Sequence, residues 1–230
     1  MRAFSTIAFC LSLFWAEQSV GWIGDPATKR LLICIDPGHP SENNDGKELT
    51  NGLREVSVNW EVAVLLKQEL ERDGFTVVVT KHSELEFVSN KDRATAANNA
   101  HADLLLRLHA DAGPGRGFTV YYPRKAGTAH GVMGPSPDVL RSSSAAARLF
   151  YPAFAAALSG KPKDNGLRGD EETLIGSRQG ALTGSIFSKV PTVLVEMAFL
   201  TNEKDAEWIR QEGNKKVMAH ALAAGIRAIR

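Results

Sequence analysis

The sequence predicts an α/β fold, a single layered domain with a mostly parallel or mixed twisted sheet flanked by helices on both faces. Two observations carry this. Apolar runs of four or five residues recur between turn formers or charges, as buried strands do, and segments of helical periodicity lie between them. Strands that alternate with helices bury their two apolar faces most simply as layers around one sheet. A chain of 230 residues supports one such core.

The first strand is expected at residues 31–35, Leu-Leu-Ile-Cys-Ile. A helix over 56–70 follows, with Val58, Val62, Leu65, Leu66 and Glu69 at helical spacing and Asp73-Gly74 as its stop. Residues 76–79 and 104–108 read as the next two strands, with an Ala-rich helix over 92–99 between them. Residues 118–122 are a further strand candidate, and 193–195 read as the last strand. A helix over 142–158 is expected to bend or break at Pro152, and the final helix covers 214–229. The Gly- and Pro-rich stretch 123–137 and the polar connection 160–169 read as surface loops, which either shape a groove or are tolerated insertions.

The N-terminus departs from this pattern. Arg2, an apolar run over 3–15 and small residues near Ser19 and Gly21 fit a signal peptide over 1–21. The run is shorter than the ~20 residues a spanning helix needs, so export without a retained membrane anchor is expected. A short linker (22–30) then leads into the folded domain (31–230), placed in a periplasmic or extracellular compartment. After cleavage Cys34 alone remains, inside an apolar run, so it reads as packing. Basic and acidic residues nearly cancel, 27 against 26, and no global field draws the chain to nucleic acid or anionic lipid.

In an open α/β sheet the functional crevice lies beyond the carboxyl ends of the strands. His39 follows the first strand across Asp36-Pro37-Gly38, His109 closes the strand 104–108, and Glu196 closes 193–195. Glu55 opens the first helix on the same edge. Two imidazoles and one carboxylate suit a catalytic Zn²⁺, which takes three protein ligands. A second carboxylate beside it can move a proton between water and a leaving nitrogen, which makes amide hydrolysis the natural reaction.

The segments Ile35-Asp36-Pro37-Gly38-His39, Arg54-Glu55, Leu106-Arg107-Leu108-His109-Ala110-Asp111 and Val193-Leu194-Val195-Glu196-Met197-Ala198-Phe199-Leu200-Thr201-Asn202 occur in an order and spacing that resembles the zinc-dependent N-acetylmuramoyl-L-alanine amidases. The resemblance implies one Zn²⁺ per chain on His39, Glu55 and His109, with Glu196 catalytic and peptidoglycan or its muropeptides as substrate. It also implies a structural role for Arg93. Arg168, in Gly166-Leu167-Arg168, is a candidate for a substrate carboxylate or carbonyl, against a solvated loop arginine. The sequence departs from the family pattern at Pro40-Ser41, where a glycine is usual, and at Met197-Ala198; neither removes a ligand.

A metallopeptidase would place its first His and Glu only a few residues apart, a wall-binding relic would lack a ligand, and a serine hydrolase would show a Gly-x-Ser-x-Gly elbow. His82, His101, His130 and His220 read as solvent-facing, Trp60 and Trp208 as packing, and Asp170-Glu171-Glu172 as a solvated face. Some relatives plug their site with a carboxylate on an inserted helix until an activator removes it. Residues 158–193 leave room for one short helix at most, so no obligatory activator is expected.

Overall fold

The computed structural model describes residues 30–230; the predicted signal peptide and nearly all of the linker lie outside the described residues. Strand β1 (Leu32–Pro37) leads through a loop to a small hairpin, β2 (Leu49–Thr50) and β3 (Leu53–Arg54). Its two-residue turn, Asn51-Gly52, has positive φ at both positions (48° and 76°), the geometry that this dipeptide favours. Helix α1 (Glu55–Arg72) starts at the end of that hairpin, so the turn sets where Glu55 stands.

β4 (Thr76–Val79), α2 (Asn90–Asn99), β5 (Leu104–Asp111) and β6 (Phe118–Tyr122) follow, then the hairpin β7 (Gly127–Ala129) and β8 (Val132–Gly134). α3 (Pro137–Leu158) begins with Ser136 accepting from the Val139 amide and with proline at its first position. It starts five residues before the predicted helix and runs through Pro152 without interruption. β9 (Asp164–Gly169), α4 (Leu174–Gln179), α5 (Thr183–Phe187), β10 (Thr192–Phe199), α6 (Glu203–Arg210) and α7 (Glu212–Arg227) complete the chain.

Six strands form one mixed sheet in the order β4-β1-β5-β10-β6-β9, with seven helices around it among the described residues. β4, β1, β5 and β10 are mutually parallel, and β6 turns antiparallel to β10 and carries β9 parallel to itself. Alternation splits these strands into two faces. Leu106, Leu108, Val193, Val195, Phe118 and Val120 belong to the main core beneath α1, α3 and α7. Cys34, Leu105 and Ala97 form a smaller cluster on the opposite face, where α2 packs. The helices therefore cover both faces.

The core brings α3 and α7 close enough that a Cβ at Gly225 would lie 2.5 Å from the Phe150 ring. α7 also clasps α1 along its length: Lys215 pairs with Glu61, and Arg227 reaches Asp73 at 2.7 Å and Glu69 at 2.5 Å.

Several segments differ from the sequence reading. Both predicted surface loops contain strands: 123–137 holds the β7–β8 hairpin and 160–169 holds β9. β9 reads as a loop because Asp-Asn-Gly-Leu-Arg-Gly has low strand propensity, and as an edge strand it is paired on one side only. The stretch before β10 holds two short helices and a 3₁₀ turn (Asp170–Glu172) where one helix at most was expected. Within that turn Asp170 is buried, not part of a solvated face, because its carboxylate accepts the Leu182 amide at 3.1 Å. His82, His101, His130 and His220 are exposed, as predicted.

Candidate metal centre

The turn that carries His39 is fixed from below. Asp36, fully buried at the end of β1, receives Arg93 Nη1 at 2.7 Å, Arg107 Nε at 2.8 Å and the Thr80 hydroxyl at 2.6 Å. Burial alone would raise its pKa, but the two guanidiniums outweigh it and hold the carboxyl well below the usual range. Arg93 also donates to the carbonyls of Pro37, Pro40 and Val88, at 2.7, 2.9 and 2.9 Å, which bears out its structural reading. Lys81 donates to the His39 carbonyl. His39 itself is left-handed, φ 62°.

Three side chains meet above this turn. Nδ1 of His39 lies 2.9 Å from the Asn44 carbonyl oxygen, an acceptor that puts the proton on Nδ1 and leaves the Nε2 lone pair facing Glu55. His39 Nε2 and His109 Nδ1 each lie 3.2 Å from Glu55 Oε1, and the three ligand atoms fall within 4.8 Å of one another. Gly38 makes the close approach possible, since a Cβ there would lie 2.4 Å from the His109 ring. Asn59, one turn along α1, donates to Glu55 Oε1 at 3.4 Å and to the Gly38 carbonyl at 3.3 Å, tying the helix to the turn.

The electrostatics agree with a ligand set. Burial, ahead of its neighbours, pushes His109 down to about 4, so its imidazole is neutral at neutral pH. Glu55 is also desolvated, yet hydrogen bonds and charge interactions with His109 and His39 hold its carboxyl below the ordinary range. Donor atoms at 2.0–2.1 Å from a tetrahedral zinc stand about 3.3 Å apart. The two 3.2 Å spacings from Glu55 match that, and the donor set of His39, Glu55 and His109 can hold a metal ion such as Zn²⁺.

Glu196 pairs with His109 across β10 and β5 and projects from the same face. Its Oε2 is buried without a hydrogen-bond partner among the described residues. Burial, then repulsion from Asp111 and Glu55, raises its carboxyl well above the ordinary carboxylate range, against an opposing pull from Arg107. All four predicted residues line one cavity of 550 Å³. Asp111, Tyr121 and Arg107 line it too, and Leu174, Ile175 and Leu182 form an apolar wall from α4 and its connection to α5. The sequence reading left out Arg107 and Asp111 as site residues, although period-two alternation from His109 places both on its face. No sequence signal marked the α4 wall.

Arg168 is not in this cavity. It lines an adjoining groove that shares Tyr121 with it. Glu172 lies at the cavity's edge, where Arg124 holds its carboxylate at 2.8 Å.

A protein-family profile described as N-acetylmuramoyl-L-alanine amidase matches residues 33–228. The chain belongs to this family. It is 30% identical over 196 residues to the N-acetylmuramoyl-L-alanine amidase LytC of Bacillus subtilis, covering 84% of this chain but only 34% of that protein's length. It is 27% identical over 221 residues to an N-acetylmuramoyl-L-alanine amidase of Mycobacterium tuberculosis, covering 85% of each. Among solved structures, Ami1 from Mycobacterium smegmatis shares the fold at a TM-score of 0.69 and 20% identity, over 86% of this chain and 96% of that one.

Proposed function

We propose that this family member is an exported, zinc-dependent amidase that hydrolyses the amide bond between N-acetylmuramic acid and L-alanine in peptidoglycan. The observation that carries the reading is the cluster of His39 and His109 around the Glu55 carboxylate, each 3.2 Å from it, with the Glu196 carboxyl on the neighbouring strand. Zinc, when bound, supplies a Lewis acid for the scissile carbonyl and the acidity that makes water a nucleophile near neutral pH.

The chain's own groups do the rest. Asn44 fixes the tautomer of His39, and burial keeps His109 neutral. Glu196 moves the proton. Its carboxylate takes one from the attacking water, and its acid form returns it to the alanine nitrogen as the C–N bond breaks, leaving a lactyl carboxylate and a free amine. A carboxyl raised above its ordinary range suits a group that must do both.

Residues 1–21 act as the leader and 22–30 as a linker to the catalytic domain 31–230. Among the described residues no helix is long and apolar enough to cross a membrane. We also propose that no activator is required, a reading supported by Arg124, which holds the Glu172 carboxylate at the cavity's edge.

The isolated protein, supplied only with zinc, is incubated with purified cell wall and the new ends are identified by mass spectrometry. Free L-alanine amines on released stem peptides are expected, and His109→Ala yields a folded protein with neither bound zinc nor turnover. New reducing sugars, or peptide cuts inside the stem, would overturn the reading.

A further inference from the structure

The sheet that builds the metal cavity continues past it. Cross-strand partners project from one face, and the pairings run from His109 to Glu196, from Glu196 to Thr119, and, one step along β6, from Tyr121 to Arg168. Thr119, Tyr121 and Arg168 line a groove of 390 Å³ together with Arg116, Lys163 and Phe199. Tyr121 forms the shared wall.

The two compartments differ in charge. Glu55, Asp111, Glu172 and Glu196 line the cavity, whereas the groove carries three cations and no acidic side chain. Arg116, Lys163 and Arg168 are all exposed, and no ion pair joins them to an acid among the described residues. Nearby acids are engaged elsewhere: Asp164 accepts the Tyr151 hydroxyl at 2.9 Å, and Asp205 accepts the Gly117 and Phe199 amides. In a chain with a net charge of +1, this is a local concentration of positive charge.

The two segments that carry the cations are also tied together. Asn165 donates to the Arg116 carbonyl at 2.7 Å, and Arg168 Nε donates to the Asn165 carbonyl at 3.2 Å, which joins the loop before β6 to β9. Gly117, φ 92°, lets the two segments touch, since a Cβ there would lie 2.0 Å from the Lys163 carbonyl oxygen.

We propose that this groove is a second substrate subsite that binds a carboxylate of the peptide entering the metal cavity. The proposal rests on the amidase reading. From β5 to β9 is three strand spacings, about 14 Å. An extended peptide covers that in about four residues, so the carboxylate belongs to the first few residues beyond the scissile amide. Arg168 and Lys163 supply charge-assisted hydrogen bonds, and Phe199 and Tyr121 supply apolar contact for the peptide stem.

The test compares soluble muropeptides whose stem carboxylates are free with the same molecules converted to carboxamides. The wild-type KM rises about tenfold on amidation, the change that ~1.4 kcal/mol produces, while kcat changes little. In Lys163→Gln/Arg168→Gln that ratio collapses toward one, and Lys163→Arg/Arg168→Lys restores part of it. Wild-type turnover with equal KM for both substrates overturns this proposal alone. Absence of turnover of either overturns the amidase reading and this with it. If the double variant keeps the wild-type ratio but no longer sediments with phosphate-bearing walls, the groove takes a wall phosphate polymer instead and the proposal fails.

Discussion

β5 and β10 show two proteins' worth of requirement on the same residues' neighbours. On one face Leu106, Leu108, Val193 and Val195 are buried under α1, α3 and α7; on the other Arg107, His109, Leu194 and Glu196 line the metal cavity. Adjacent residues share backbone hydrogen bonds and register, yet one set holds the fold and the other the chemistry. Period-two alternation thus lets a rigid, desolvated layer position the reacting groups without sharing side chains with them.

Substitutions on the two faces should then separate activity from stability. The largest effect is expected at Glu196→Gln, which keeps shape and removes the titrating proton: turnover falls by about two to four orders of magnitude, with zinc content and the thermal midpoint nearly unchanged. Zinc lost together with activity would make Glu196 a ligand and blur the division. On the core face Leu106→Ala should cost about 2–5 kcal/mol in denaturant unfolding while turnover per folded molecule persists. Turnover lost under conditions where the variant is fully folded would show that the layers are coupled.

A smaller effect tests whether the site side is free of stability burdens. Burial, ahead of its polar contacts, pushes Asp170 up to about 6 from 3.8. Between those values the folded protein binds more protons than the unfolded chain, so stability falls as pH rises through about 4 to 6 and is level above. That contribution is about 3 kcal/mol. Asp170→Asn removes it, and a variant whose stability declines as steeply as the wild type over this window would place the burden elsewhere.

The legibility of the sequence follows the same division. His39, Glu55, His109 and Glu196 were readable because each sits at the end of an apolar run or opens a periodic helix, so element boundaries alone brought them to one edge. β9 was not readable, since a polar edge strand carries no alternation, and with it Arg168 was misjudged as part of a loop. The Asn51-Gly52 turn that places Glu55 carries a hairpin signal, but the strands on either side of it are two residues each and too short to show alternation. α4 and α5 had none: six and five residues are too few to show a period, and their positions depend on Asp170, whose burial only the tertiary structure reveals.

The clasp between α7 and α1 has a consequence for how the enzyme comes into being. Glu55 stands at the start of α1, and the groups that pin that helix, Lys215 and Arg227, are synthesised more than 150 residues later. A growing chain emerges from the ribosome in order, so the helix bearing one ligand lacks its brace until α7 has been made. His39, Glu55 and His109 are all translated early, but the helix that begins at Glu55 gains its ion-pair brace only with the last helix. That brace on α1 is complete only once synthesis has passed Arg227.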